Sequence, residues 1–218
     1  MISRVTVLRR FRPAGEAVAH ARRAVQGGGI LRVTHQVDMD WSFGPNFVYM
    51  TGKITILVGT MSGTAEMVAD ALLEAIEDAG LAGRILRMEK ARVEALSAGG
   101  VWLVCTSTYG TGEVPDNAKA LYAALGEQRP DLSKVRYGVV ALGDSIYPNT
   151  FCFGGKRFDE LLSSFGARRI GERLENDSRS PTYPDDAARE WLERWLESLR
   201  ESSGEAGGTA TEGVEISR

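Results

Sequence analysis

Between Gly59 and Ala65 the chain reads Gly59-Thr60-Met61-Ser62-Gly63-Thr64-Ala65, rich in hydroxyls and glycine and free of charged side chains. It follows the apolar run Ile54-Thr55-Ile56-Leu57-Val58 and opens into a helical pattern. The first N–H groups of a helix lack intrahelical acceptors and sit at the positive end of its dipole. A strand, a hydroxyl-rich turn and a helix start therefore make a phosphate cradle that works without lysine. Thr60, Met61, Ser62, Gly63, Thr64 and Ala65 are its candidate residues. A second stretch, Ser107-Thr108-Tyr109-Gly110-Thr111-Gly112, combines glycines that let the backbone approach a ligand with a tyrosine offering a flat face and a polar tip. The third, from Leu142-Gly143-Asp144 through Tyr147 to Phe151-Cys152, repeats glycine, hydroxyl and aromatic. One loop could grip a phosphate and two could supply aromatic walls.

These loops need a scaffold that brings them together. Val68, Leu72, Ala75, Ile76 and Ala79 form one stripe of a first helix that stops at Gly80, a C-terminal cap. Further strands are expected at Arg84 to Met88, Val101 to Cys105, Tyr137 to Leu142 and Arg169 to Leu174. Helices are expected at Asn117 to Leu125, Lys156 to Phe165 and Asp185 to Leu199. Continuous apolar runs indicate strands covered on both faces. The alternation predicts an α/β fold, a doubly wound sandwich on a five-stranded parallel sheet of order 2-1-3-4-5. Its ligand crevice lies at the carboxyl ends of strands one, three and four, where the three loops fall.

The whole chain has 218 residues, 43% apolar and 25% charged, with a formal charge of −3. No apolar run approaches the roughly 20 residues of a membrane helix. Residues 1 to 49 hold seven arginines against Glu16, Asp38 and Asp40, a surplus of four positive charges, so the remainder carries −7. An acidic domain argues against nucleic acid and suits a basic partner. The two cysteines, Cys105 and Cys152, have neither metal nor redox spacing, which points to a reducing, cytoplasmic compartment. Three regions are expected. Residues 1–49 form a disordered, dispensable basic extension or an over-long start, although arginine without lysine also resembles a transit peptide. Residues 50–200 form the ligand-binding domain, and 201–218 a disordered tail rich in Gly, Ser, Thr and Glu.

Taken singly, each candidate has a plainer explanation: Ser62 and Thr64 as helix caps, Cys152 as core packing, Asp177 as a solvated turn residue, Trp191 and Trp195 as packing. The coincidence of three such loops at one crevice favours a ligand. Together the loops resemble the flavodoxin family from about Lys53 to Leu199. Within it, Ser107 to Gly112, Val114-Pro115-Asp116-Asn117-Ala118 and Leu142-Gly143-Asp144 are similar to short-chain members: MioC-type flavodoxins and the FMN domains of diflavin reductases such as sulfite reductase and cytochrome P450 reductase. Thr150-Phe151-Cys152 and the closing Glu190 to Trp195 lean towards the MioC type.

The resemblance implies FMN as cofactor, its phosphate on the first loop and its ring between Tyr109 and Tyr147. Gly110 and Gly143 would lend backbone groups to the ring's polar edge; Asp177, read from its own place after strand five, is either a solvated turn residue or a charge that tunes the bound ring. Met61 inside the phosphate loop and Asp144 near the flavin edge depart from the family pattern. The expected activity is low-potential, one-electron carriage between a basic NAD(P)H-dependent flavin reductase and a redox acceptor protein. No catalytic residue or metal is expected of the protein itself. Alternatives are the FMN-binding subunit of a two-component, sulfite-reductase-like enzyme, an FMN-dependent NAD(P)H quinone reductase, and an apo-protein scaffold. A phosphoacceptor module on the same fold would need acidic residues after strand one, where Gly59-Thr60 stands.

Overall fold

The computed structural model describes residues 53–204; the expectations for residues 1–49 and for the tail past 204 lie outside the described residues. In chain order the elements are β1 (Ile54–Gly59), α1 (Thr64–Asp78), β2 (Gly83–Arg87), α2 (Val93–Ser97), β3 (Gly100–Ser107) and α3 (Asp116–Gln128). They continue with β4 (Val135–Gly143), α4 (Phe153–Ser164), β5 (Arg168–Arg169), β6 (Leu174–Asp177) and α5 (Pro184–Gly204). All strand pairs are parallel and the order is β2-β1-β3-β4-β5, as the alternation of strands and helices predicts. The short α2, preceded by a 3-10 turn at Met88–Lys90, was not expected, and α5 runs on through Gly204, beyond the boundary expected at residue 200.

The fifth strand is a correction. Instead of one strand over Arg169 to Leu174 there are two pieces: β5 pairs with the start of β4 at Arg136 and Tyr137, and β6 pairs with its end from Val140 to Gly143. Between them Ile170 turns into the core and Gly171 adopts a left-handed φ of 61°, which carries the chain out of the ladder. Arg173 then reaches the buried Asp159 of α4, which also accepts from Arg169 Nη1 (2.5 Å) and from the Tyr137 hydroxyl (2.7 Å). A buried carboxylate requires such partners. Burial, then the Asp159 hydrogen bond, pushes the Tyr137 phenol up from its ordinary value.

Side-chain alternation along the strands builds two cores. Ile54, Ile56 and Val58, with Val101, Leu103 and Cys105, pack under α1 and α5. Leu57, Trp102, Val104, Tyr137, Val139 and Ala141 pack on the opposite face with residues of α2, α3 and α4. Every residue of β1 is buried, the physical meaning of its unbroken apolar run. The α1 stripe behaves as its spacing predicts. Ala65, Val68, Ala69, Leu72 and Ile76 are buried, and the helix ends with Gly80 N–H donating to Glu77 O (2.9 Å) and Leu81 N–H to Ile76 O (3.0 Å). On β4, a side chain at Gly138 would collide with the Trp195 indole of α5, so this residue lets the helix close on the sheet. Trp191 and Trp195 stack at 5.9 Å between ring centroids and serve this packing.

Candidate functional site

The carboxyl ends of β1, β3 and β4 deliver the three loops to one edge of the sheet. In the first, Gly63 caps α1 in the left-handed region (φ 89°) and its N–H donates to Thr60 Oγ1 at 2.9 Å. The Glu66 and Met67 amides both donate to Gly63 O, so those of Thr64 and Ala65 ahead of them have no intrahelical acceptor. The Ser62 and Thr64 hydroxyls lie 3.4 Å apart at the surface. Thr60 serves the loop's own frame: its N–H donates to Asn117 Oδ1 (2.9 Å) while its hydroxyl receives Gly63. Met61 is 44% exposed, with its sulfur 3.4 Å from the Asp116 amide. Glu66, in the first turn of α1, is matched by Arg87 at 2.7 Å.

The second loop is a tight excursion. Tyr109 and Glu113 exchange backbone hydrogen bonds of 3.0 and 2.8 Å around Gly110 (φ 53°), leaving Tyr109 47% exposed. Thr108 anchors the loop to the third: its N–H and hydroxyl both donate to Leu142 O at 3.1 Å, and its Oγ1 accepts from Gly154 N–H at 3.1 Å. Gly112 is buried, and a side chain there would meet Thr150 and Phe153. Ser107 is half-buried and its carbonyl touches Gly154, while Thr111 is exposed.

In the third loop a turn from Asp144 to Tyr147, closed by Tyr147 N–H to Asp144 O at 3.1 Å, leaves Tyr147 64% exposed. Asp144 Oδ1 accepts from the Ile146 amide at 2.9 Å. The base of this turn is held by β6. Ser178 N–H donates to Gly143 O (2.8 Å), and Asp177 Oδ1 accepts from Ser145 N–H (3.0 Å) and Arg179 N–H (3.1 Å). Hydrogen bonds from Ser145, and then from Arg179, hold the Asp177 carboxyl below its ordinary range. Phe151 is half-buried under the Lys156 ammonium, 5.5 Å from its centroid. Cys152 is fully buried, its thiol donating to Ala141 O at 3.3 Å, and burial pushes that thiol up to about 12.

Physical chemistry thus separates the loop positions by job. The Ser62 and Thr64 hydroxyls lie at the surface and the Thr64 and Ala65 amides lack intrahelical acceptors, which suits a phosphate; Tyr109 and Tyr147 stand exposed for a ring, and Thr60, Thr108, Gly112, Leu142, Asp177 and Cys152 hold the loops in place. Asn117 was missed as a site residue. In sequence it reads as a helix start after Pro115-Asp116, although an amide side chain beside a glycine loop can bond backbone in both directions. No lysine or arginine lies in any of the loops, so an anion there would be met by dipoles alone. A cavity of about 410 Å³ exists elsewhere, between the β5–β6 turn and α5, and shares no residue with the loops.

The profile of the flavodoxin family matches residues 56–191. The chain belongs to the flavodoxin family. It is 42% identical over 139 residues to Protein MioC of Escherichia coli O157:H7, covering 64% of this chain and 92% of that one. It is 39% identical over 128 residues to the sulfite reductase [NADPH] flavoprotein alpha-component of Vibrio cholerae, covering 58% of this chain and 21% of that protein. Among solved structures, a cysteine-to-alanine mutant of a flavodoxin from Pseudomonas aeruginosa superposes with a TM-score of 0.61 at 37% identity, covering 68% of this chain and 99% of that one. At family level the cofactor is FMN and the activity is one-electron carriage.

Proposed function

We propose that this flavodoxin binds FMN in the three loops and passes electrons singly from a separate, basic NAD(P)H-dependent reductase to an acceptor protein. The observation that carries this reading is the convergence of the loops. A lysine-free cradle of amides and hydroxyls and two exposed tyrosines share one sheet edge, tied together through Thr60–Asn117 and Thr108–Leu142. The residues fit the group: the Ser62 and Thr64 hydroxyls and the Thr64 and Ala65 amides offer donors to a phosphate, and Tyr109 and Tyr147 offer faces to a ring.

When bound, the flavin supplies the redox chemistry, accepting and releasing electrons one at a time. The protein binds and orients it. Each stacked tyrosine contributes about 0.5–1.5 kcal/mol beyond area burial. Gly143 O accepts from Ser178 N–H at 2.8 Å, which fixes the Gly143 backbone beside the ring's polar edge, with Gly110 in the neighbouring loop as the second candidate. At the same edge Glu113 and Asp116 share the Lys119 ammonium, at 3.4 and 2.7 Å, so the excess negative charge that disfavours a reduced, anionic ring and attracts a basic partner comes from Asp144 and the domain's net acidity.

The test is a visible spectrum of the purified chain after FMN addition, then anaerobic potentiometric titration. Flavin bands with two separate one-electron waves are expected; a folded protein that takes up no FMN would refute the proposal. The likeness to the sulfite reductase flavoprotein favours a second reading, an FMN-binding subunit of a two-component reductase. Tight co-purification with one reductase would select it. Rapid transfer of electrons from NAD(P)H to an added quinone by the loaded chain, with no reductase present, would instead make it a quinone reductase.

A further inference from the structure

We propose that Asn117 is the positioning residue of the phosphate loop and sets the preference for FMN over riboflavin. This rests on the FMN reading above. At the rim of the sheet β1 ends in Gly59, and the chain leaves its neighbours with polar backbone groups still to satisfy. Asn117, on the first turn of α3, supplies them with one planar amide. Its Oδ1 accepts from Thr60 N–H at 2.9 Å, and its Nδ2 faces Val58 O at 3.4 Å and donates to Glu89 Oε2 at 3.1 Å. It thus imitates a strand neighbour just where the ladder stops. The amide ties the end of β1, the entry of the phosphate loop and the 3-10 turn after β2 to the exit of the tyrosine loop.

The consequence passes along the loop. With Thr60 fixed, its hydroxyl is placed to receive Gly63 N–H at 2.9 Å, and Gly63 in its left-handed conformation starts α1. The Thr64 and Ala65 amides that follow have no intrahelical acceptor. The adjacent Asp116 amide, 3.4 Å from the Met61 sulfur, holds the tip from the same helix end. None of these bonds involves Tyr109 or Tyr147. Loss of Asn117 therefore acts on the phosphate part of the ligand and leaves the ring's walls standing.

The experiment measures dissociation constants of FMN and riboflavin for the full-length wild-type chain, Asn117→Ala and Asn117→Asp, together with amide hydrogen exchange at Thr60 in the flavin-free proteins. In Asn117→Ala, FMN binding is expected to weaken about tenfold, the scale of one lost hydrogen bond with its orphaned partner, with riboflavin changed less than about twofold. Thr60 exchange should accelerate. In Asn117→Asp the carboxylate again offers Thr60 an acceptor, so its protection should return towards wild type even though the added charge opposes the phosphate. An unchanged FMN to riboflavin ratio in Asn117→Ala, or unchanged exchange at Thr60, overturns the role of Asn117. A wild-type chain that binds neither flavin overturns the functional reading itself, which the riboflavin and FMN arms reveal before any variant is compared.

Discussion

At the residue scale the loops are governed by a few side chains that bond backbone rather than ligand. Asp177 shows this best. It sits at the end of β6 yet takes the Ser145 amide of the third loop, so the turn that presents Tyr147 depends on it. Asp177→Ala is expected to weaken FMN binding several-fold, whereas Asp177→Asn, which keeps an acceptor oxygen, retains most of it; fluorescence titration distinguishes the two. The sign of the pH dependence follows from the same bonds. A carboxyl held below its ordinary 3.8 stabilises the folded loop at neutral pH, and that contribution is lost as pH falls from about 4 through the lowered folded value. The protection factor of the Ser145 amide, exchange measured against its intrinsic rate at each pH, should therefore fall in that acid range. The buried thiols behave oppositely. Burial pushes Cys105, whose thiol donates to Ala65 O, up to about 12, so it stays neutral at pH 8. Neither Cys105 nor Cys152 should react with a thiol reagent there until the chain is unfolded, as counted by absorbance.

Among the elements, α4 is the one whose placement decides the site, because its N-terminus closes on the bases of the second and third loops. Gly154 and Gly155 make this possible. A Cβ at Gly154 would lie 2.2 Å from Ser107 O, and one at Gly155 would lie 2.3 Å from the Ala141 Cβ. Gly154→Ala meets backbone that has no room to yield, so α4 must shift and the Thr108 bond to the Gly154 amide must stretch. A destabilisation of about 1–3 kcal/mol is expected, with weakened FMN binding, read by denaturant melts and titration. In α1 the corresponding dependence is on apolar contact. Leu72→Ala removes a fully buried side chain beneath the helix that carries the phosphate loop and should cost about 2–5 kcal/mol. Ligand affinity should survive wherever the variant remains folded.

Viewed as a whole molecule, the protein combines three loops gathered at one sheet edge with a net charge of −7 outside residues 1–49. If FMN binds only the folded chain, saturation at a hundred times the dissociation constant adds about 2.7 kcal/mol to stability, so thermal melts should shift upward with FMN concentration. The acidic charge bears on partners. Reduction by a basic reductase should slow as ionic strength rises through the range where the screening length falls to about 10 Å. A rate independent of salt would count against electrostatic docking.

Much of this was legible in the sequence because it depends on local periodicity. Unbroken apolar runs named the buried strands β1, β3 and β4, the Val68–Leu72–Ile76 spacing named the inner face of α1, and chain connectivity then permitted few sheet orders. The three loops could be picked out because glycine, hydroxyl and aromatic residues have distinct local preferences. Residue pairings distant in sequence were decided only by tertiary structure. The fifth strand divided because Gly171 could turn out of the ladder and Arg173 had a buried carboxylate to reach, a partner that strand propensity does not register. Asn117 meets Thr60, and Asp177 meets Ser145, across 57 and 32 positions, and a hydrogen bond at that separation leaves no periodic trace. Composition and spacing determined which residues could hold a ligand; the packing of α3, α4 and β6 against the loop bases decided which of them hold the loops.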